Sequence, residues 1–208
     1  MKLTPRERRL IDPPRETAVP PFPVRKFSVA EYHKLLEWEI LRSGDPYELL
    51  RGWIVPKLRR SPRNAASTDR LQHRLRRLFP GDEWVTGIQR SITFRDSEPE
   101  PAGSLIRGPD APYWKRHPRP RDTELVVEVS DDSLERDRGI KLEIYAAGRI
   151  PVYWIVNIPA RRVEVYTRPR GGKTPGYRHQ TTYAPGDAVP VVVGGKTLGT
   201  IPVGELLP

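Results

Sequence analysis

The chain contains no cysteine, which excludes disulfides and thiolate metal sites. It also has no long apolar run. Its longest apolar stretches, around VYWIV and VPVVV, are far too short to span a bilayer. The first residues, MKLTPRERRLIDPPRE, are charged and include no apolar core of the secretory type, so no signal peptide is expected and a cytoplasmic protein is the default. Histidines are few and scattered, at 33, 73, 117 and 179, and no H-x-x-x-H pair is present, which argues against zinc. Two GGKT phrases, at 171–174 and 194–197, lack the upstream glycine and the following helix of a phosphate loop, and read as hairpin turns.

Acids are the minority charge. Against 26 Asp and Glu stand 36 Lys and Arg, a net charge of +10 and a pI near 10.1. A surplus of that size favours a polyanionic partner, with nucleic acid foremost. Mean hydropathy is −0.61, low for a compact fold, yet the apolar positions recur with enough period to build a core. Many of the 24 prolines fall in the first 25 residues. Residues 1–26 therefore read as a disordered, basic, Pro-rich tail, and 27–208 as one domain.

Within that domain, FSVAEYHKLLEWEILRSG starts a helix. Ser28 and Glu31 form a capping box, and Tyr32, Leu35, Leu36 and Ile40 make an apolar stripe. YELLRGWIVPKL (47–58) reads as a strand pair bent at Gly52. A helix is expected at about 65–79, with Leu71, Leu75 and Leu78 on one face and arginines over much of the rest. EWVTGIQRSITFRD (83–96) alternates like a strand, and SEPEPAGSLIRG continues it after a Pro-rich break. TELVVEVS is a strand, followed by a helix over about 132–147 and a hairpin at 151–169. Further short strands close the chain. Trp53, Trp154, Tyr153 and Tyr166 are assigned to the core. This order predicts an α/β fold: a mixed sheet flanked by helices, with extra C-terminal strands.

The stretch VVEVSDDSLERDRGIK (126–141) carries the chemistry. Alternation puts Leu125, Val127 and Val129 on one face of the strand and Val126, Glu128 and Ser130 on the other. A carboxylate in such a strand must be paired, hydrogen-bonded or metal-bound, because an isolated buried charge is very costly. Asp137 and Lys141 lie four apart on the following helix and share a face. Two readings stay open on spacing alone. One is a structural Glu128–Lys141 ion pair. The other is a metal-dependent phosphodiesterase in which carboxylates hold Mg²⁺ and a lysine orients the nucleophile.

The run LVVEVSDDSLERDRGIKLEIYAAGRIPVYWIVNIPARRVEVY (125–166) resembles the Uma-type family of restriction endonucleases, within the PD-(D/E)XK nuclease superfamily. The E-V-x-S strand, the D-R-x-x-K-x-x-x-Y helix, the YWIV strand and the R-x-V-x-V-Y strand all match its pattern. YELLRGWIVPK and SEPEPAGSLIRG resemble its upstream segments, so the likeness extends over about 28–205. It implies a restriction-endonuclease-like fold and roles for particular residues. Glu128 is the acidic metal ligand, and Ser130 stands where the superfamily usually has lysine. Lys141 is that lysine, moved to the helix. Glu48 is a helper near the metal, and Asp137 and Tyr145 are supporting positions.

The chain departs from the pattern where the family's P-D becomes Pro101-Ala102, because that aspartate is normally a direct metal ligand. Glu100, two residues earlier, is a candidate substitute, although Pro99 and Pro101 flank it. Arg51 and Trp53 stand at mostly acidic positions and Asn64 at one often held by histidine; Arg51 is expected to repel a nearby cation. Two functions follow. One is a Mg²⁺- or Mn²⁺-dependent DNA endonuclease using Glu128, Glu48, Glu100 and Lys141. The other is a nucleic-acid-binding module on the same fold that does not cut. Arg70, Arg74 and Arg77 on one helix flank, and Lys115 and Arg116 in the loop YWKRHPRPR, are candidate phosphate contacts. A homodimer with the hairpin 151–166 near its interface is a further expectation.

Overall fold

The structure, a computed structural model, describes residues 23–42, 44–58 and 60–208. The expectation of a disordered tail falls mainly on residues 1–22, which lie outside the described residues.

Helix α1 (Val29–Glu37) opens with the expected box: Glu31 N–H donates to Ser28 Oγ at 3.2 Å, and Ser28 N–H donates to Glu31 Oε2 at 2.9 Å. It stops earlier than its stripe predicts. Glu39 turns to a φ of +55°, which leaves Ile40 63% exposed beyond the helix. Strands β1 (Tyr47–Leu50) and β2 (Trp53–Pro56) form a hairpin whose two turn residues, Arg51 and Gly52, both have positive φ, at +50° and +81°. That combination matches the twist of antiparallel strands. Gly52 has a second reason to be glycine: a Cβ there would meet Lys26 Cβ at 2.7 Å.

The main sheet has six strands in the order β3-β4-β5-β6-β7-β8. These are Trp84–Gly87, Gly103–Arg107, Thr123–Ser130, Val152–Asn157, Arg162–Arg170 and Gly176–Tyr183. All neighbours are antiparallel except β5 and β6, which run parallel. A parallel pair needs a crossover connection. Here it is a helical segment made of α3 (Leu134–Arg136), a π-helical stretch (Asp137–Lys141) and α4 (Leu142–Ala147). Helix α2 (Pro62–Leu78) and the hairpin β9–β10 (Ala188–Val193, Lys196–Pro202) complete the fold.

The sheet separates two cores as the alternation in β5 requires. Leu125, Val127 and Val129 pack with Leu71 and Leu75 of α2 and with Val189, Val191 and Ile201 of the C-terminal hairpin. Val126 packs on the other face with Tyr145, Tyr153, Ile155 and Tyr166.

The expected strand 83–96 shrinks to Trp84–Gly87. Gln89 takes a φ of +47°, and the backbone beyond it bonds across loops instead of along a ladder: Gln89 N–H to Pro101 O and Ile92 N–H to Pro99 O. The alternation there serves to bury Ile92. Trp53 is half-buried rather than core, with Lys26 Nζ 5.9 Å from its ring centre. The apolar hairpin 151–166 supplies the interior of the sheet, since β6 is buried throughout and β7 is covered on its outer edge by β8. Its apolar character is therefore accounted for within one chain.

Candidate active site

Register creates an opening beside Glu128. Strand β4 pairs with β5 only as far as Gly103 opposite Val127. One more step would set Ala102 opposite Glu128, but Pro101 has no N–H with which to continue a ladder. The sheet parts at this point, and both residues line the same pocket.

Three elements bring charge to that pocket. Strand β5 contributes Glu128, strand β1 contributes Glu48, and the helical crossover contributes Asp137 and Lys141. Lys141 Nζ lies 3.0 Å from Glu128 Oε1 and 3.3 Å from Glu48 Oε2. All three side chains are buried. Tyr145 OH donates to the same Glu128 Oε1 at 2.6 Å. Glu128 Oε2 takes no hydrogen bond from the described residues and is not sealed in the interior. Glu48 Oε2 also accepts the Glu100 N–H at 3.3 Å, and its Oε1 has Arg136 at 3.9 Å.

The π-helical stretch positions the rest. It is centred on Gly139, whose φ of −97° and ψ of −107° leave the helical region, and it turns both Asp137 and Lys141 inward. Asp137 Oδ2 accepts hydroxyl bonds from Ser130 at 2.6 Å and Ser133 at 2.5 Å. Ser130 thus anchors an acid from the end of β5.

Burial pushes the Glu128 carboxyl up to about 7, against the opposing pull of Lys141. Asp137 is raised for the same reason, again with Lys141 pulling the other way. Burial alone would lower the Lys141 amine, but the carboxylates of Glu128, Glu48 and Asp137 outweigh it and hold the ammonium form. Tyr145 is raised well above an ordinary phenol by burial and by Glu128.

The other sequence candidates separate into those that reach the pocket and those that do not. Glu100 lines it and is paired with Lys57. Asn64 lines it and donates to Val129 O at 2.6 Å. Arg51 does not: it sits at the β1–β2 turn, pairs with Glu143 and lines a different cavity, so the expected repulsion of a cation there has no geometric basis. Arg70 donates to Leu207 O and Arg74 pairs with Glu205, which ties both to the C-terminal segment, whereas Arg77 is exposed. Lys115 and Arg116 line a separate cleft.

Sequence reasoning missed a second buried acid. Glu164 on β7 is fully buried and accepts from Arg138 Nε at 2.9 Å, Asn157 Nδ2 at 2.9 Å and Tyr166 OH at 2.9 Å. Burial would raise it, but these donors, Arg138 foremost, bring it down to about 2. The signal was the one that exposed Glu128: a glutamate alternating with valines, in RVEVY.

The donor set suits a hard cation to a limited extent. Glu128 and Glu48 both approach Lys141, and Glu128 Oε2 takes no hydrogen bond from the described residues, which matches the one or two carboxylates by which Mg²⁺ is usually held alongside water and phosphate. No group of three His, Cys, Asp or Glu able to hold a metal occurs among the described residues.

Residues 29–198 match the family model Uma2, described as "Putative restriction endonuclease". No curated protein matches the chain. Among solved structures, a protein of Anabaena variabilis ATCC 29413, described as "a putative nuclease belonging to DUF820", superposes with a TM-score of 0.61. It is 15% identical in sequence, and the match covers 88% of this chain and 97% of that one. At that identity the likeness shows the fold. With the family model spanning most of the described residues and the mixed sheet recurring in a solved structure, the chain belongs to the Uma2 family of PD-(D/E)XK-like nucleases.

Proposed function

We propose that the chain is a Mg²⁺- or Mn²⁺-dependent DNA endonuclease that hydrolyses phosphodiester bonds in the pocket beside Glu128. One observation carries this reading: Lys141 from the helical crossover sets its ammonium 3.0 Å from Glu128 on one strand and 3.3 Å from Glu48 on another. Glu128 would hold the ion through the oxygen it leaves free, with Glu48 beside it and Glu100, paired with Lys57, lining the same pocket. The ion supplies Lewis-acid polarisation of the phosphate and a water of lowered pKa. Lys141 keeps its proton, so it orients the attacking water and offsets charge that develops on the phosphate rather than acting as a base. Tyr145 fixes Glu128, and Ser130 and Ser133 fix Asp137, so that the acids are pre-positioned.

A second reading rests on Ala102, which lines the pocket: the site binds nucleic acid but has lost cleavage, because the family resemblance implies a ligating aspartate at this position and a methyl group cannot ligate. Nicking of supercoiled plasmid separates the two. Under the first reading the unaltered chain nicks with Mg²⁺ or Mn²⁺, Glu128→Ala abolishes nicking, and Ala102→Asp raises it. Nicking that appears only in Ala102→Asp establishes the second reading. Equal nicking by Glu128→Ala and the unaltered chain would dismiss both assignments of the site.

A further inference from the structure

Two open cavities outside the pocket share a border. One, of about 520 Å³, is lined by His33, Trp114, Lys115, Arg116 and Arg119 among others. The other, of about 950 Å³, lies over α4 and includes Arg51, Arg95, Arg119, Arg121 and Lys173. Thr93 and Arg119 line both, so the two form one cleft, and it shares no lining residue with the pocket beside Glu128.

The charge of this cleft is nearly all of one sign. Asp96 is the one acid lining it among the described residues. Arg51 and Arg116 are partnered by Glu143 and Asp122, and Arg121 approaches Asp122 only to 3.9 Å. Arg95, Lys115, Arg119 and Lys173 are exposed and make no ion pair among the described residues. Four unpaired cations along one groove form an electrostatic track for a phosphate backbone.

Aromatic groups punctuate the track at one end. The Tyr113 ring already has Arg116 at 5.1 Å and Arg90 at 6.0 Å from its centre. Trp114 has no such neighbour among the described residues. It is 80% exposed, and its indole N–H is steered by Asp110 Oδ2 at 3.3 Å, which holds the ring outward. A flat ring presented beside unpaired cations is the arrangement by which proteins hold single strands, with bases stacked and phosphates neutralised.

We infer that this cleft is a binding site for single-stranded nucleic acid, separate from the pocket, with Trp114 as the stacking platform and Arg95, Lys115, Arg119 and Lys173 as phosphate contacts. It rests on the reading that the chain acts on nucleic acid, but it requires neither metal nor cleavage. In the larger reaction it would hold a displaced or frayed strand while the scissile phosphate occupies the pocket.

Fluorescence anisotropy with a labelled oligothymidine of ~15 nucleotides, in EDTA, tests it. Trp114→Ala is expected to weaken binding about 5- to 150-fold, the range of one base stack, and Trp114→Phe to restore most of it. Arg119→Ala should reduce the salt slope by about 0.7. Arg76→Ala, on α2 and lining neither cavity, should leave affinity within about two-fold, as for a charge outside the contact. Equal binding by Trp114→Ala and the unaltered chain, or tighter binding of a duplex of the same length, overturns the proposal. Oligothymidine binding that follows this pattern in a chain that nicks no plasmid sustains the cleft while removing the endonuclease reading.

Discussion

Lys141 is the residue on which the pocket's charge balance turns. Its ammonium offsets Glu128 and Glu48 in a buried setting, so removing it leaves Glu128 without an ion pair among the described residues and Glu48 with Arg136 at 3.9 Å. Breaking a buried pair from one side costs about 3–5 kcal/mol. Lys141→Met should lose that much in urea titration at neutral pH. If the carboxylates hold a divalent ion, added Mg²⁺ should return part of the loss, because a ligand that binds only the folded state stabilises it. Mg²⁺ should then raise the melting temperature of the variant more than that of the unaltered chain; no differential gain would speak against a cation at this point. Glu164 makes a different expectation. Its folded pKa, at about 2, lies below the ordinary 4.5, so its contribution is present above pH 4.5 and is lost as the pH falls from there toward 2. Glu164→Gln should flatten that acid limb in thermal melts taken across the interval. Glu128 has the opposite sign: raised to about 7, its ionisation reduces stability as pH climbs from 4.5 to 7.

Helix α2 links the two halves of the site. Its N-cap, Ser61, accepts the Asn64 N–H at 3.1 Å and donates its hydroxyl to Asp131 at 2.5 Å on the pocket rim. One hydroxyl therefore caps the helix and ties it to the end of β5. Ser61→Ala should cost about 1 kcal/mol, as typical caps do. It should also release Asp131, which Arg63 approaches only to 4.0 Å. Chemical denaturation reads the first effect, and faster amide exchange at residues 131–133 would read the second. The crossover after β5 is the other element with a double task. Its π-helical stretch joins the parallel strands and at the same time delivers Asp137 and Lys141 to the pocket. The sequence foretold one continuous helix over 132–147. The widened turn was hidden because an i, i+4 pair looks alike in both geometries, and only packing against β5 and Tyr153 distinguishes them: Tyr153 OH bonds Asp137 O at 3.0 Å.

Across the full domain, an endonuclease with one pocket per chain is expected to cut one strand at a time. A break through both strands of a duplex needs two pockets, so a homodimer is the form expected to linearise plasmid, and a monomer should stop at nicked circles. Sedimentation of the protein alone and with duplex DNA, set beside the products of the nicking assay, tests this pairing. A monomer that linearises plasmid in a single binding event would refute it. The strands of the hairpin 151–166 are not the surface to mutate for that purpose, because residues 152–158 and 163–166 are buried and only its turn, 159–161, is exposed. No helix among the described residues is long and apolar enough to cross a membrane.

The face that Glu128 takes in its strand and the face that Asp137 and Lys141 share were legible in the chain because local rules suffice for them. Period-two alternation placed Glu128 on the face opposite Leu125, Val127 and Val129, and helical spacing placed Lys141 beside Asp137. The capping box at Ser28 and the hairpin at Gly52 were legible for the same reason, since each depends on residues a few positions apart. Long-range pairing settled the remainder. The end of the β4–β5 ladder at Gly103 opened the pocket at Ala102, Arg51 was carried to a turn away from it, and Arg70 and Arg74 were claimed by the C-terminal segment. Each of these outcomes turns on which distant segment reaches a given side chain first, and spacing along a single strand or helix holds no record of that.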